Sequence, residues 1–69
     1  MQDYRRILAM NVRAARDRLG LSQEALAYEA EIDRTCISGI ERGKRNPSVD
    51  LIARLAEALK TTPAALLSP

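Results

Sequence analysis

The chain has 69 residues, a formal net charge of +2 and 46% hydrophobic residues, of which only the two Tyr are aromatic. This length allows a single domain, residues 1–69, with a thin aliphatic core drawn mainly from nine Leu, five Ile and two Val. One Cys and no His exclude an internal disulfide, argue against a metal site and remove the commonest general base.

The first predicted helix runs from about Tyr4 to Leu19. Apolar residues recur along it at steps of four, three and four, which places them on one helix face: Leu8, Val12, Ala15 and Leu19. Gly20 then supplies a left-handed stop, and Leu21 is the apolar contact that commonly follows such a stop.

The second and third predicted helices are short and separated by a tight break. Ser22 is the N-cap of the second helix, which is about eight residues long and needs packing to be stable. After the break at about Ala30–Ile32, Asp33 is the N-cap of the third helix, which runs from about Arg34 to Arg42.

The last two predicted helices complete an all-α domain. Ser48 caps the fourth helix, whose apolar face carries Ile52, Leu55, Ala56 and Leu59. Thr62 caps the fifth, with Pro63 at its first position, and this helix ends near Leu67. Five short helices joined by short loops predict a compact five-helix bundle.

Two short helices across a three-residue break are the pattern of a helix-turn-helix, here at about residues 22–43. In that motif the second helix lies in the DNA major groove. Ile37 and Ile40 predict a buried pair that packs this helix back on the first, and Gly43 ends it. Many helical hairpins share the pattern and bind no DNA, so a plain hairpin stays open as an alternative.

If Ile37 and Ile40 face inward, the outward face of the third helix carries Arg34, Thr35, Ser38 and Gly39. Arg34 and Thr35 lie in the first turn, where a recognition helix meets base edges. Arg can bond guanine in bidentate fashion, and Thr offers a hydroxyl and a methyl to thymine. Gly39 is unfavourable inside a helix, so we interpret it as permitting close approach to the duplex, with packing inside the protein as the alternative.

Cationic and polar residues also lie where contacts to DNA phosphates are needed. Residues 1–18 carry a net charge of +3, and residues 42–45 add three more cations, which favours an anionic partner. The free N–H groups at the start of the second helix favour a phosphate as well. The predicted phosphate contacts are Ser22, Gln23, Cys36, Lys44, Arg45 and Asn46. A solvated basic face and an ordinary polar loop are the alternatives.

The runs SQEALA from Ser22 and IDRTCISGIERGKRNPS from Ile32 resemble the lambda-repressor/Cro-type (XRE-like) helix-turn-helix family. The resemblance covers about residues 5–68. Within the family the chain is most similar to controller proteins of restriction–modification systems and to small chromosomal and phage repressors. The resemblance implies a five-helix domain that binds a palindromic operator as a homodimer and regulates transcription.

The resemblance also implies roles for matching positions. It gives the base-reading and groove-facing roles to the four outward residues of the third helix, and phosphate contacts to Gln23, Arg45 and Asn46. It further implies a salt bridge between Arg16 and Glu41, for which two independent surface charges are the alternative.

Three positions depart from the family pattern. Glu31 and Lys60 stand where many members have Gly, and a left-handed conformation there costs a non-glycine residue about 1 kcal/mol. Cys36 stands where controller proteins often carry Tyr, which removes one possible DNA contact. Without a His to activate it, Cys36 is interpreted as a small residue and not as a functional thiol.

The dimer surface is expected on the fifth helix, which carries Ala64, Leu66 and Leu67. One of the two leucines should close the core, and an exposed apolar remainder suggests a self-complementary two-fold contact. The alternative is that both leucines close the core of one subunit.

Taken together, the sequence predicts a homodimeric, sequence-specific DNA-binding regulator of transcription, either a restriction–modification controller or an autoregulatory repressor. An antitoxin-like protein-binding module on the same fold is the alternative. The chain has no His, no paired-carboxylate motif and no phosphate-cradling Gly loop, so we expect no enzyme, no cofactor, no metal and no small-molecule ligand. It also has no run near the ~18 apolar residues of a membrane span and no signal peptide, so we expect no membrane partner and a cytoplasmic, nucleoid-associated location.

Overall fold

The computed structural model describes residues 3–69, which form five α-helices joined by short loops. The helices are α1 (Tyr4–Leu19), α2 (Gln23–Ala30), α3 (Arg34–Glu41), α4 (Val49–Ala58) and α5 (Pro63–Leu66). The prediction of an all-α five-helix domain is confirmed, and α3 and α5 each end one residue earlier than predicted. Among these helices none is both long and apolar enough to cross a membrane.

The starts of α2 to α5 are fixed by the capping side chains that the sequence indicated. Each predicted cap accepts a hydrogen bond from a backbone N–H two or three residues ahead, at 3.0–3.2 Å. A cap of this kind contributes about 1 kcal/mol to stability. The four capping residues are Ser22, Asp33, Ser48 and Thr62.

The two positions where the family often has Gly do adopt the left-handed conformation. Glu31 ends α2 with φ 57°, and Lys60 follows α4 with φ 58°. At Glu31 the strain is offset locally, because Arg54 Nη2 donates to the Glu31 carbonyl at 2.7 Å. The Ile32 N–H also donates to the Ala27 carbonyl at 2.9 Å, so the turn keeps a regular helix-ending pattern.

The core receives aliphatic side chains from all five helices. α1 packs on α3 and α5, α2 packs on α3 and α4, and α4 packs on α5. This arrangement holds α3 from behind and leaves its other face toward solvent. The core residues are Leu8, Val12, Ala15, Leu26, Ala27, Ala30, Ile37, Ile40, Leu55, Ala56, Leu59 and Leu66.

One residue assigned to the apolar face of α1 is not buried. Leu19 is 37% exposed, although its spacing from Ala15 matches the buried stripe. The chain turns at Gly20, which has φ 70°, and Leu21 then packs against the core instead. The last turn of α1 therefore lies at the border of the core.

Of the two leucines at the end of the chain, Leu66 is the one that closes the core, which removes it from the predicted dimer surface. Leu66 is 2% exposed and belongs to the core of the subunit, whereas Leu67 is half-buried and Ala64 is exposed. Asn11 holds α5 in this position, because its Nδ2 donates to the carbonyls of Leu66 and Ser68 at 2.8 Å each. Leu66 faces the core because the short helix is tied down at its C-terminal end, and only its neighbours are left for a partner.

Candidate nucleic-acid interface

The first turns of α3 have a polar face toward solvent and an apolar face that is buried in the core. Ile37 and Ile40 are at most 1% exposed, which fixes the rotation of α3 about its axis. Arg34 and Thr35 are consequently exposed, and Ser38 is half-buried. These three predicted base-reading residues share one accessible face.

Arg34 is held only weakly in the free protein. Its Nε lies 3.9 Å from Glu24 Oε2, and the two side chains are 48% and 72% exposed. A pair this exposed and this long contributes between zero and about 1 kcal/mol. The guanidinium is therefore available to exchange Glu24 for another acceptor.

Ser38 has a cationic neighbour that the sequence analysis did not include in the site. Arg42 Nη1 donates to Ser38 Oγ at 3.2 Å, and Arg42 is exposed. The spacing of four residues along a helix was the available signal, since residues four apart lie on the same side. Arg42 thus extends the positive surface beyond the end of α3.

The structure does not leave Gly39 bare on the groove-facing surface, which corrects the prediction. Gly39 is buried, and the Arg45 side chain lies across it. A Cβ at residue 39 would lie 2.7 Å from Arg45 Cγ and 3.1 Å from Arg45 Nε. The space left by the missing side chain is filled by this protein, so the packing alternative for Gly39 is the one observed.

The six predicted phosphate contacts differ in their exposure and in whether their polar atoms are already bonded within the protein. Lys44, Arg45 and Asn46 are exposed in the loop after α3. Ser22 is exposed as well, with its Oγ already accepting the N–H of Ala25 at 3.0 Å. Cys36 is half-buried and packs against the core, which makes it the weakest of the six candidates.

The side-chain amide of Gln23 already makes one hydrogen bond within the protein. Its Nε2 donates to Glu41 Oε1 at 3.2 Å, and the residue is half-buried. One amide N–H therefore remains for a phosphate at the start of α2, where the unpaired backbone N–H groups also favour an anion.

Arg16 and Glu41 form a two-point ion pair that joins α1 to the end of α3. Arg16 Nε lies 2.8 Å from Glu41 Oε2, and Arg16 Nη2 donates to Glu41 Oε1 at 3.1 Å. The side chains are only 13% and 3% exposed. Arg16 Nη1 also donates to the Leu21 carbonyl at 2.9 Å, so one guanidinium ties together α1, the loop before α2, and α3.

The ion pair shifts both ionisation equilibria. Burial by itself raises the pKa of the Glu41 carboxyl, but hydrogen bonds from Arg16 and Gln23 outweigh burial and hold that pKa below its ordinary value. The hydrogen bond to Glu41 is also the main reason that the pKa of Arg16 is raised. Both groups are therefore charged at neutral pH, and their ion pair, here called the clamp, holds α1 against the end of α3.

The family model described as Helix-turn-helix matches residues 12–66. The chain belongs to this helix-turn-helix family. The matched range includes the whole of α2 to α5, together with the part of α1 that supplies Arg16 to the clamp. The predicted helix-turn-helix at residues 22–43 is thus confirmed as a family feature and not only as a helical hairpin.

The helix-turn-helix chain resembles several known proteins over almost its full length. The control protein C.BamHI of Bacillus amyloliquefaciens is 44% identical over 66 residues, which are 94% of this chain and 82% of that protein. The crystal structure of the hypothetical transcription factor NHTF from Neisseria has a TM-score of 0.93 at 37% identity, covering 100% of this chain and 82% of that one.

A third similar protein was crystallised with nucleic acid. The restriction–modification controller protein C.Esp1396I, as a tetramer in complex with its natural 35-base-pair operator, has a TM-score of 0.85 at 29% identity. The match covers 96% of this chain and 87% of that one. The predicted resemblance to XRE-like proteins, and within them to controller proteins, is confirmed.

Acid should remove the part of this helix-turn-helix domain's stability that depends on Glu41. Because the pKa of Glu41 is lowered by folding, its contribution is complete above the unfolded value near 4.5 and is lost as the pH falls through the folded value. Urea unfolding from about pH 6 down to about pH 2 measures the loss. In Glu41→Ala this part of the pH dependence should be missing, and parallel curves for the two proteins would contradict the assignment.

Proposed function

We propose that this chain is a sequence-specific DNA-binding regulator of transcription that inserts the first turns of α3 into the major groove. The observation that carries the proposal is the exposed pair Arg34 and Thr35 above the buried Ile37 and Ile40. A base-reading helix needs accessible donors on a surface whose orientation is fixed by the core, and this arrangement supplies both.

Phosphate contacts from the flanking segments set the register of the protein on DNA. The start of α2 with Ser22 and Gln23, and the loop residues Lys44, Arg45 and Asn46, lie on either side of α3 in the chain. Arg42 is added to this set from the structure. Electrostatic attraction to the backbone supplies much of the affinity and makes binding dependent on salt.

We infer that two copies bind together on a palindromic operator. A two-fold dimer reads two half-sites about 34 Å apart, which is one turn of DNA. Because Leu66 is buried, we assign the contact between the two copies to Ala64 and to the accessible side of Leu67. The relatives named C.BamHI and C.Esp1396I are controller proteins, which supports a controller or autoregulatory repressor. None of these comparisons favours the antitoxin-like alternative.

Further properties follow from this function as part of the proposal. The chain acts as one domain over residues 1–69, and it works by binding alone, without a catalytic step or a cofactor. A regulator that acts on chromosomal DNA works at the nucleoid, so we place it there, in the cytoplasm.

The proposal is tested by selection from a library of random duplexes, read by sequencing. We expect enrichment of a palindrome with half-sites about one DNA turn apart. The double variant Arg34→Ala/Thr35→Ala, checked for native helix content by circular dichroism, is the matched control and should enrich no sequence. Wild-type binding that selects no sequence and follows ionic strength alone would overturn the proposal.

A further inference from the structure

The loop after α3 folds back over the helix that it leaves. Gly43 has φ 70°, a conformation that favours Gly, and its N–H donates to the Ile40 carbonyl at 3.0 Å. The Lys44 N–H donates to the Gly39 carbonyl at 2.9 Å, which completes a two-bond helix ending. The next residue, Arg45, is thereby brought above Gly39.

The contact between Arg45 and Gly39 depends on the absence of a side chain at residue 39. A Cβ there would come within 2.7 Å of Arg45 Cγ, 3.1 Å of Nε and 3.5 Å of Cδ. Contacts below 3.0 Å are not tolerated, so an added methyl group would displace the middle of the Arg45 side chain. Helix geometry itself does not require Gly here, because α3 is regular through residue 39.

No polar contact anchors the Arg45 side chain within the described residues 3–69. It forms no ion pair there and its side chain makes no hydrogen bond within that range. The packing on Gly39 is therefore what limits the rotamers of a long side chain that would otherwise lose much entropy on binding.

We propose that Gly39 is a positioning residue for DNA binding, which seats the Arg45 side chain across α3 and so pre-orders its guanidinium for a phosphate beside the recognition helix. The inference rests on the function proposed above. It assigns to Gly39 an indirect role, through Arg45, in place of direct proximity to the bases.

The test is a double-mutant cycle on the selected operator, with Gly39→Ala, Arg45→Ala and the combined variant. We expect Arg45→Ala to weaken binding to all sequences alike and to lower the salt slope by about one. Gly39→Ala should also weaken binding several-fold and lower the slope, although Ala favours the helix and should raise the melting temperature. In the Arg45→Ala background, Gly39→Ala should have no further effect on binding.

The controls separate this inference from the proposed function. Arg18→Ala removes the same charge at a site that borders α5, where Thr61 and Ala65 line the same cleft, and should leave the salt slope unchanged. If the wild type binds the operator and Gly39→Ala binds it with the same affinity, the role of Gly39 is overturned while the proposed function stands. Loss of affinity in Gly39→Ala that persists without Arg45 would overturn it as well.

The packing of the Arg45 side chain on Gly39 can be tested without DNA. In the free wild-type protein, nuclear Overhauser contacts are expected between the Gly39 α-protons and the γ- and δ-protons of Arg45. Their absence would overturn the inference even if the chain selects a palindrome. A wild-type protein that binds no specific sequence would instead overturn the proposed function and this inference with it.

Discussion

Replacing Glu41 with Ala should lower the free energy of unfolding by about 3–5 kcal/mol, the range for removing one partner of a buried ion pair. The Arg16 side chain is 13% exposed and would lose both hydrogen bonds to Glu41. It would keep the hydrogen bond to the Leu21 carbonyl and a longer ion pair, 3.8 Å, with the exposed Asp17. Gln23 would lose its acceptor at the same time. Urea denaturation at neutral pH measures the loss.

Glu29→Ala is the matched control for this substitution. Glu29 lies in the last turn of α2 as Glu41 does in α3, but it is exposed and forms no ion pair among residues 3–69. Its removal should change stability by no more than about 0.5 kcal/mol. Equal effects of the two substitutions would show that the clamp contributes nothing.

A paired replacement distinguishes the clamp from simple packing. Buried ion pairs exchanged together for apolar residues often lose little stability, because no charge is left without a partner. The double variant Arg16→Met/Glu41→Leu should therefore recover part of what Glu41→Ala loses. A double variant as unstable as the single one would point to lost shape instead of an unpaired charge.

Replacing Arg34 with Ala should cost about 1–3 kcal/mol in operator binding and relax the preference at one base pair of each half-site. The reason is that a bidentate contact to a guanine carries information about that base, whereas a phosphate contact does not. Folding should be unaffected, because the ion pair of Arg34 with Glu24 is long and exposed. Repeating the selection with the variant shows whether one position loses its preference.

Arg18→Ala again provides the comparison of equal charge change. It should leave the selected sequence intact, since Arg18 lines a cleft together with Thr61 and Ala65 and with no residue of α3. A uniform loss across all sequences in Arg34→Ala, with every base preference kept, would contradict base reading and place Arg34 among the phosphate contacts.

Local features of the sequence were enough to predict the helices and much of the candidate site. Caps such as Ser22 and Ser48 act on N–H groups within three residues, so their role is readable without the fold. The spacing of Ile37 and Ile40 fixed which face of α3 is buried, and with it the exposure of Arg34. Periodicity succeeds here because each short helix has only one face that can reach the core.

Contacts between distant segments were not readable in this way. The coverage of Gly39 by Arg45 needs the loop to return over α3, and the seating of Leu66 needs Asn11 from the other end of the chain. A glycine on an outward face and a leucine on a terminal helix look the same in the sequence whether another segment covers them or not. The neighbour is set by the fold and not by spacing.

The sequence by itself thus determined the five helices, the caps of α2 to α5 and the exposed face of α3, because these depend on residues a few positions apart. The tertiary structure alone decided the engagement of Gln23 by Glu41, the seat of Arg45 on Gly39 and the burial of Leu66. Each of these depends on how helices pack in three dimensions, where small differences in distance select one neighbour among several that the sequence allows.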